Sequence, residues 1–137
     1  MSNQTQPVAT IRGLAEVVLN CHDLAAMVTF YRDLLGLTVI SPPERKNPIF
    51  LQAGESGEGL PSLLVLVQMQ GELEPFVKPR TLHHLALTIP AESFDATMTA
   101  LTGRGFSVRT GQHPVIPSRT MYIDDPEGNE VELIAPA

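Results

Sequence analysis

An internal repeat constrains the fold of this chain more than any other feature of its sequence. The stretch LAEVVLNCHDL, from Leu14, superposes without a gap on LHHLALTIPAE, from Leu82, and sets Glu16 on His84. LLGLTV and GRGFSV occupy equivalent places after the helical segment that follows each stretch. Self-similarity of this kind means two copies of one supersecondary unit sharing a core.

The local patterns name the unit. Leu14 to Cys21 alternates as a strand, with Val17, Leu19 and Cys21 on an apolar face and Glu16, Val18 and Asn20 on a mixed one. Asp23 is the expected N-cap of a helix over 24–35, with Leu24, Met27, Val28, Tyr31 and Leu35 at helical spacing and Gly36 as the stop. Short strands are expected at 37–40, 49–53 and 63–69, with a proline-rich loop over 41–48 and the polar GESGEG between the last two. The second half repeats the order: a strand over 82–89, a helix over 92–103, and strands over 106–110, 119–124 and 130–134. The reading is an α+β fold of two βαβββ modules, 11–70 and 81–137, in one domain spanning 1–137, with 71–80 as an exposed connector.

Composition closes off several functions. The chain of 137 residues has a net charge of −6 and no stripe of Lys and Arg, so nucleic acid and anionic membranes are not expected partners. No apolar run approaches the roughly 20 residues that span a bilayer. The first residues, MSNQTQPVAT, lack a basic start and an apolar core, so they are read as a frayed terminus and not a secretion signal. The single cysteine, Cys21, fits a reducing cytoplasm and a buried apolar role. A soluble cytoplasmic protein with a small-molecule partner is the expectation.

Glu132 is the chemical oddity. It lies in VELI among apolar neighbours, and a buried carboxylate is costly unless it is paired or holds a metal. The repeat brings Glu16 and His84 to equivalent strand positions, with Glu132 on the last strand of the second module. Each has an ordinary reading alone: Glu16 solvated, His84 hydrogen-bonded like its neighbour His83, Glu132 salt-bridged. Together, carboxylate oxygen and neutral imidazole suit Fe(II), Mn(II), Ni(II) or Zn(II), with positions left for substrate.

DLAAMVTFYRDLLGL after the first strand, LHHLALTI opening the second module and DDPEGNEVEL near the end resemble the vicinal oxygen chelate superfamily. That superfamily groups glyoxalase I, bleomycin-resistance proteins, extradiol ring-cleaving dioxygenases, fosfomycin-resistance enzymes and methylmalonyl-CoA epimerase. The resemblance implies paired βαβββ modules whose mixed sheet curls into a cup around a divalent metal, with helices on its outer face, often in a homodimer. The order Gly111, His113, Met121-Tyr122, Asp125-Pro126, Gly128 and Glu132 is similar to the extradiol dioxygenase signature. By that likeness His84 and Glu132 bind Fe(II), while His113 and Tyr122 stand near substrate as hydrogen-bonding or acid–base groups. Asn20, on the Glu16 face, is a candidate pocket residue.

One departure divides the possible functions. Ring-cleaving relatives carry histidine where this chain has Glu16, which makes the set more anionic and favours Mn(II), Ni(II), Mg(II) or Zn(II). Glyoxalase I resembles that alternative. Its further glutamate, on the last strand of the first module, falls near Val65 in SLLVLVQ, where Gln68 is the polar residue nearby. The expected function is a dioxygenase-like enzyme acting on a catechol-like vicinal-oxygen substrate. The alternatives are a glyoxalase- or epimerase-type lyase or isomerase, and a metal-free binding protein of the bleomycin-resistance kind.

Overall fold

The computed structural model describes residues 6–71 and 80–137, so most of the expected connector, 72–79, and residues 1–5 lie outside it. The first half runs β1 (Glu16–Cys21), α1 (Leu24–Val28) continued by a π-helical segment (Thr29–Leu34), β2 (Thr38–Val39), β3 (Ile49–Gly57) and β4 (Leu60–Gln68). The second runs β5 (Leu85–Thr88), a 3₁₀ turn (Ala91–Ser93), α2 (Phe94–Gly103), β6 (Arg109–Gly111), β7 (Ser118–Asp124) and β8 (Glu130–Pro136). The sheets have the same plan, β1-β4-β3-β2 and β5-β8-β7-β6, with the first strand of each unit parallel to its last. Among the described residues no helix is long and apolar enough to cross a membrane.

Three expectations are corrected. The first helix is α-helical only to Val28; beyond it the hydrogen bonds widen, with Leu35 N–H donating to Phe30 O at 3.1 Å. GESGEG is not a loop, because β3 extends to Gly57 and the hairpin turns within Glu58-Gly59. Both turn residues have positive φ, 54° and 74°, a pairing that matches the right-handed twist of the flanking strands and that glycine adopts without strain. The fifth strand starts at Leu85 and not Leu82, leaving His83 and His84 outside the ladder.

One apolar cluster joins the halves. Leu19, Cys21, Met27, Phe30, Leu51 and Leu66 from the first meet Phe94, Leu101, Met121, Ile123, Val131 and Leu133 from the second. Phe30 and Phe106 meet across the junction with ring centroids 6.0 Å apart and planes tilted by 60°. Burial raises the Cys21 thiol to about 12, helped by the Glu127 carboxylate and opposed by a backbone hydrogen bond from Val67.

Polar contacts fix the junction. Tyr31 hydroxyl donates to Asp125 Oδ2 at 2.7 Å in a buried position. Asp125 also accepts from the N–H groups of Glu127 and Asn129 at 2.9 and 3.0 Å, and from Asn129 Nδ2 at 2.9 Å, which locks the β7–β8 turn. From that turn, Glu127 accepts from His22 N–H and Asp23 N–H at 2.8 and 2.7 Å. Asp23 caps Ala26 N–H as expected, Gln68 accepts from Leu24 N–H and Glu127 from Asp23 N–H, so three side chains each take a donor at the helix start. Burial, then the Asp125 carboxylate, pushes the Tyr31 phenol far above its ordinary range.

Tyr31→Phe removes one buried hydrogen bond to a charged acceptor, and urea unfolding should show a loss of about 1.5–3 kcal/mol at unchanged m-value. A thiol raised from 9.0 to about 12 disfavours the thiolate in the folded chain, so its contribution to stability is intact below pH 9 and falls away as pH climbs toward 12. Aromatic disulfide reagents at pH 8 should therefore label Cys21 only after denaturant is added.

Candidate functional site

The candidate site forms on the face of the second sheet opposite its helix. The printed registers make a row across four strands: Ala86 on β5 beside Glu132 on β8, Glu132 beside Tyr122 on β7, and Tyr122 beside Arg109 on β6. Directly opposed residues share a face, so these side chains lie together. His84 Nε2 stands 3.1 Å from Glu132 Oε1, and its ring packs edge-on against Tyr122 with centroids 6.1 Å apart.

Burial decides what this pair is suited to. The Glu132 side chain is 3% exposed and that of His84 35%. Among the described residues, Glu132 Oε2 is buried with no hydrogen-bond partner. A carboxylate with one oxygen orphaned is under-compensated, and its chemistry fits a cation beside the imidazole nitrogen. A second grouping overlaps it: His83, His84 and Glu130 bring potential ligand atoms within 4.8 Å of one another. His83 Nδ1 lies 2.8 Å from His84 Nδ1. Arg109 pairs with Asp124 at 2.9 Å and reaches Glu130 at 3.6 Å, which balances the outer carboxylates but not Glu132.

The structure thus brings His84, Glu132 and Tyr122 together. Glu16 and Asn20 lie elsewhere, exposed on β1, and among the described residues neither makes a hydrogen bond or ion pair to that group. His113 is in the loop after β6, where its Nδ1 accepts from Val115 N–H at 3.1 Å and Ile116 N–H at 2.9 Å. A neutral ring with Nδ1 so engaged carries its proton on Nε2 and can act outward only as a donor. Gly111 lets Tyr122 approach its backbone, since a Cβ there would sit 3.2 Å from the ring.

The corresponding row of the first sheet is apolar. It consists of Val18, Val65 and Phe50, so Val65 holds in β4 the place that Glu132 holds in β8. Val18 is 51% exposed on that open face. A cleft of roughly 430 Å³, lined by Leu34, Leu37, Leu87, Leu101 and Arg104 among others, lies between the halves and does not include His84 or Glu132. His83 and Glu130 escaped assignment from sequence. The doubled histidine and the alternation of Glu130 with Glu132 were the available signals.

These strand orders define a paired βαβββ protein. The chain belongs to the Glyoxalase/Bleomycin resistance protein/Dioxygenase superfamily, whose family model matches residues 13–133. It is 26% identical over 119 residues to catechol-2,3-dioxygenase of Bacillus subtilis (strain 168), covering 85% of this chain but only 39% of that protein. In fold it is similar to a glyoxalase/dioxygenase from Nostoc punctiforme, with TM-score 0.69, 21% identity and 92% of each chain covered. It is also similar to lactoylglutathione lyase from Agrobacterium tumefaciens, with TM-score 0.62, 23% identity and 95% of each chain covered.

If Glu132 is held at a cost, removing its charge relieves the chain. Without added metal, Glu132→Leu should unfold at the same urea concentration as wild type or higher, a gain of up to about 2 kcal/mol. A marked loss would make Glu132 an ordinary structural partner of His84.

Proposed function

We propose that this protein is a metal-dependent enzyme acting on a small vicinal-oxygen substrate of the catechol kind, with extradiol ring cleavage as its reaction. The observation that carries this reading is the orphaned, buried oxygen of Glu132 beside His84 Nε2. His84 and Glu132 would hold the cation, Fe(II) for this reaction, with Glu16 as third ligand. The bound cation would supply chelation and polarisation of two adjacent substrate oxygens. Tyr122, edge-on to the His84 ring, would hydrogen-bond to the bound substrate, and His113 would donate from Nε2. Asn20 would line the same pocket.

Glu16 is on the first sheet while His84 precedes β5 of the second, and β1 exposes Val18 on the Glu16 face. Both facts support a homodimer in which each site takes Glu16 from one protomer and His84 and Glu132 from its partner. Co-expressed Glu16→Ala and His84→Ala chains should then regain one intact site per mixed dimer, measured as turnover and bound metal. No recovery would overturn the shared site.

The second reading is oxygen-independent lyase or isomerase chemistry with Ni(II), Zn(II), Mn(II) or Mg(II). Its support is the carboxylate character of the set, Glu16 and Glu132 with Glu130 near His84. Chain loaded anaerobically with Fe(II), then given air and a panel of catechols, should consume oxygen and form ring-opened product. Metal bound with neither result would reject ring cleavage and leave the lyase reading. Metal binding unchanged in both His84→Ala and Glu132→Ala variants would reject the site itself.

A further inference from the structure

We infer that His83 is the positioning residue of His84: it sets which ring nitrogen of His84 carries the proton, and so whether Nε2 can serve as a ligand. The inference rests on the metal-site reading above. Its basis is the 2.8 Å contact between the two Nδ1 atoms, whose rings lie 72° apart in plane with centroids at 5.0 Å. At that separation the contact holds one proton, because two N–H groups would repel and two bare lone pairs would make no bond.

The shortened strand makes the contact possible. In an extended strand, adjacent side chains point to opposite faces and could not share a hydrogen bond. β5 begins at Leu85, so His83 and His84 precede the ladder and their rings can turn toward each other.

The other nitrogen of His84 fixes the direction. Nε2 faces Glu132 Oε1 at 3.1 Å, and an ionised carboxylate only accepts. In the metal-free chain with neutral rings, His84 therefore carries its proton on Nε2, and its Nδ1 accepts from His83 Nδ1–H. To offer Nε2 as a ligand, His84 must carry the proton on Nδ1 instead. That N–H then needs an acceptor, which His83 Nδ1 becomes when the His83 proton sits on Nε2. The two rings exchange tautomers together, and the proton count of the pair does not change. His83 is exposed, so its outer nitrogen exchanges with water.

Glu130 supplies the rival. Its carboxylate lies within 4.8 Å of ring nitrogens of both histidines, so His83 could instead be a ligand in an outer set.

Two measurements decide between them. Two-bond proton–nitrogen NMR correlations, on metal-free protein at a pH where both rings are neutral, should assign the proton to Nε2 of His84 and Nδ1 of His83. Zn(II) should reverse both assignments. Calorimetric Zn(II) titration should show His83→Asn, whose amide oxygen replaces the acceptor, within about threefold of wild type, and His83→Phe weaker by about 10–100-fold with unchanged circular dichroism. Wild-type affinity in His83→Phe, or a His84 proton on Nδ1 in the metal-free chain, overturns the inference. Loss in His83→Asn as complete as in His84→Ala also overturns it and makes His83 a ligand. Failure of the wild type to bind Zn(II), Fe(II) or Mn(II) rejects the metal reading instead, and the metal-free tautomers still decide whether His83 is the partner.

Discussion

The hydrogen bond from Tyr31 to Asp125 is the contact on which the rest of this structure depends. Asp125 shapes the turn between β7 and β8, and the same turn sends Glu127 to the start of the first helix. Arg80 closes the arrangement by donating to Asn129 Oδ1 at 2.9 Å and Glu127 O at 2.7 Å. The Tyr31 hydroxyl and the N–H groups of His22 and Asp23 meet these partners only when the halves are seated together, which favours a single register for the apolar cluster between them. The strands leaving that turn carry Tyr122 and Glu132. The turn that docks the two modules therefore also positions the candidate site residues.

The modules share a backbone plan but not a chemical one. Across equivalent registers, Val18, Val65 and Phe50 answer Ala86, Glu132 and Tyr122. Half of the repeat keeps an aliphatic and aromatic face while the other half concentrates its carboxylates and histidines. Glu16 and Asn20, both exposed on β1, are the polar residues flanking Val18 on that side. The same fold recurs in solved proteins named as a lyase and as a glyoxalase/dioxygenase, so the reaction is set by the side chains on the scaffold.

Much of this was legible in the sequence because it is local and periodic. Alternation in LAEVVLNC and LHHLALTI set the faces of β1 and β5, and the repeat set the equivalence that the registers then follow. Glu132 was found through its misfit among apolar neighbours, and it is buried. Other features left no local period to read. Tyr31 sits at an apolar helical position, and its hydroxyl meets a partner 94 residues away. The widened helix after Val28 and the early end of the β5 ladder are backbone decisions that side-chain pattern does not encode. The doubled histidine looked like a strand pair on opposite faces, and only the missing ladder lets the two rings meet.

The strand order carries a consequence for how the molecule comes together in time. β8 is the last described strand, yet it lies inside its sheet, between β5 and β7. Until it is made, β5 has no parallel neighbour and the β6–β7 ribbon has only itself, a marginal structure in water. The same holds for β4 in the first sheet, flanked by β1 and β3. Each sheet is thus completed from the middle by its latest segment, and non-local closure of that kind is slow. Glu132 rides on β8, so its side chain is enclosed only where that central strand has joined both β5 and β7.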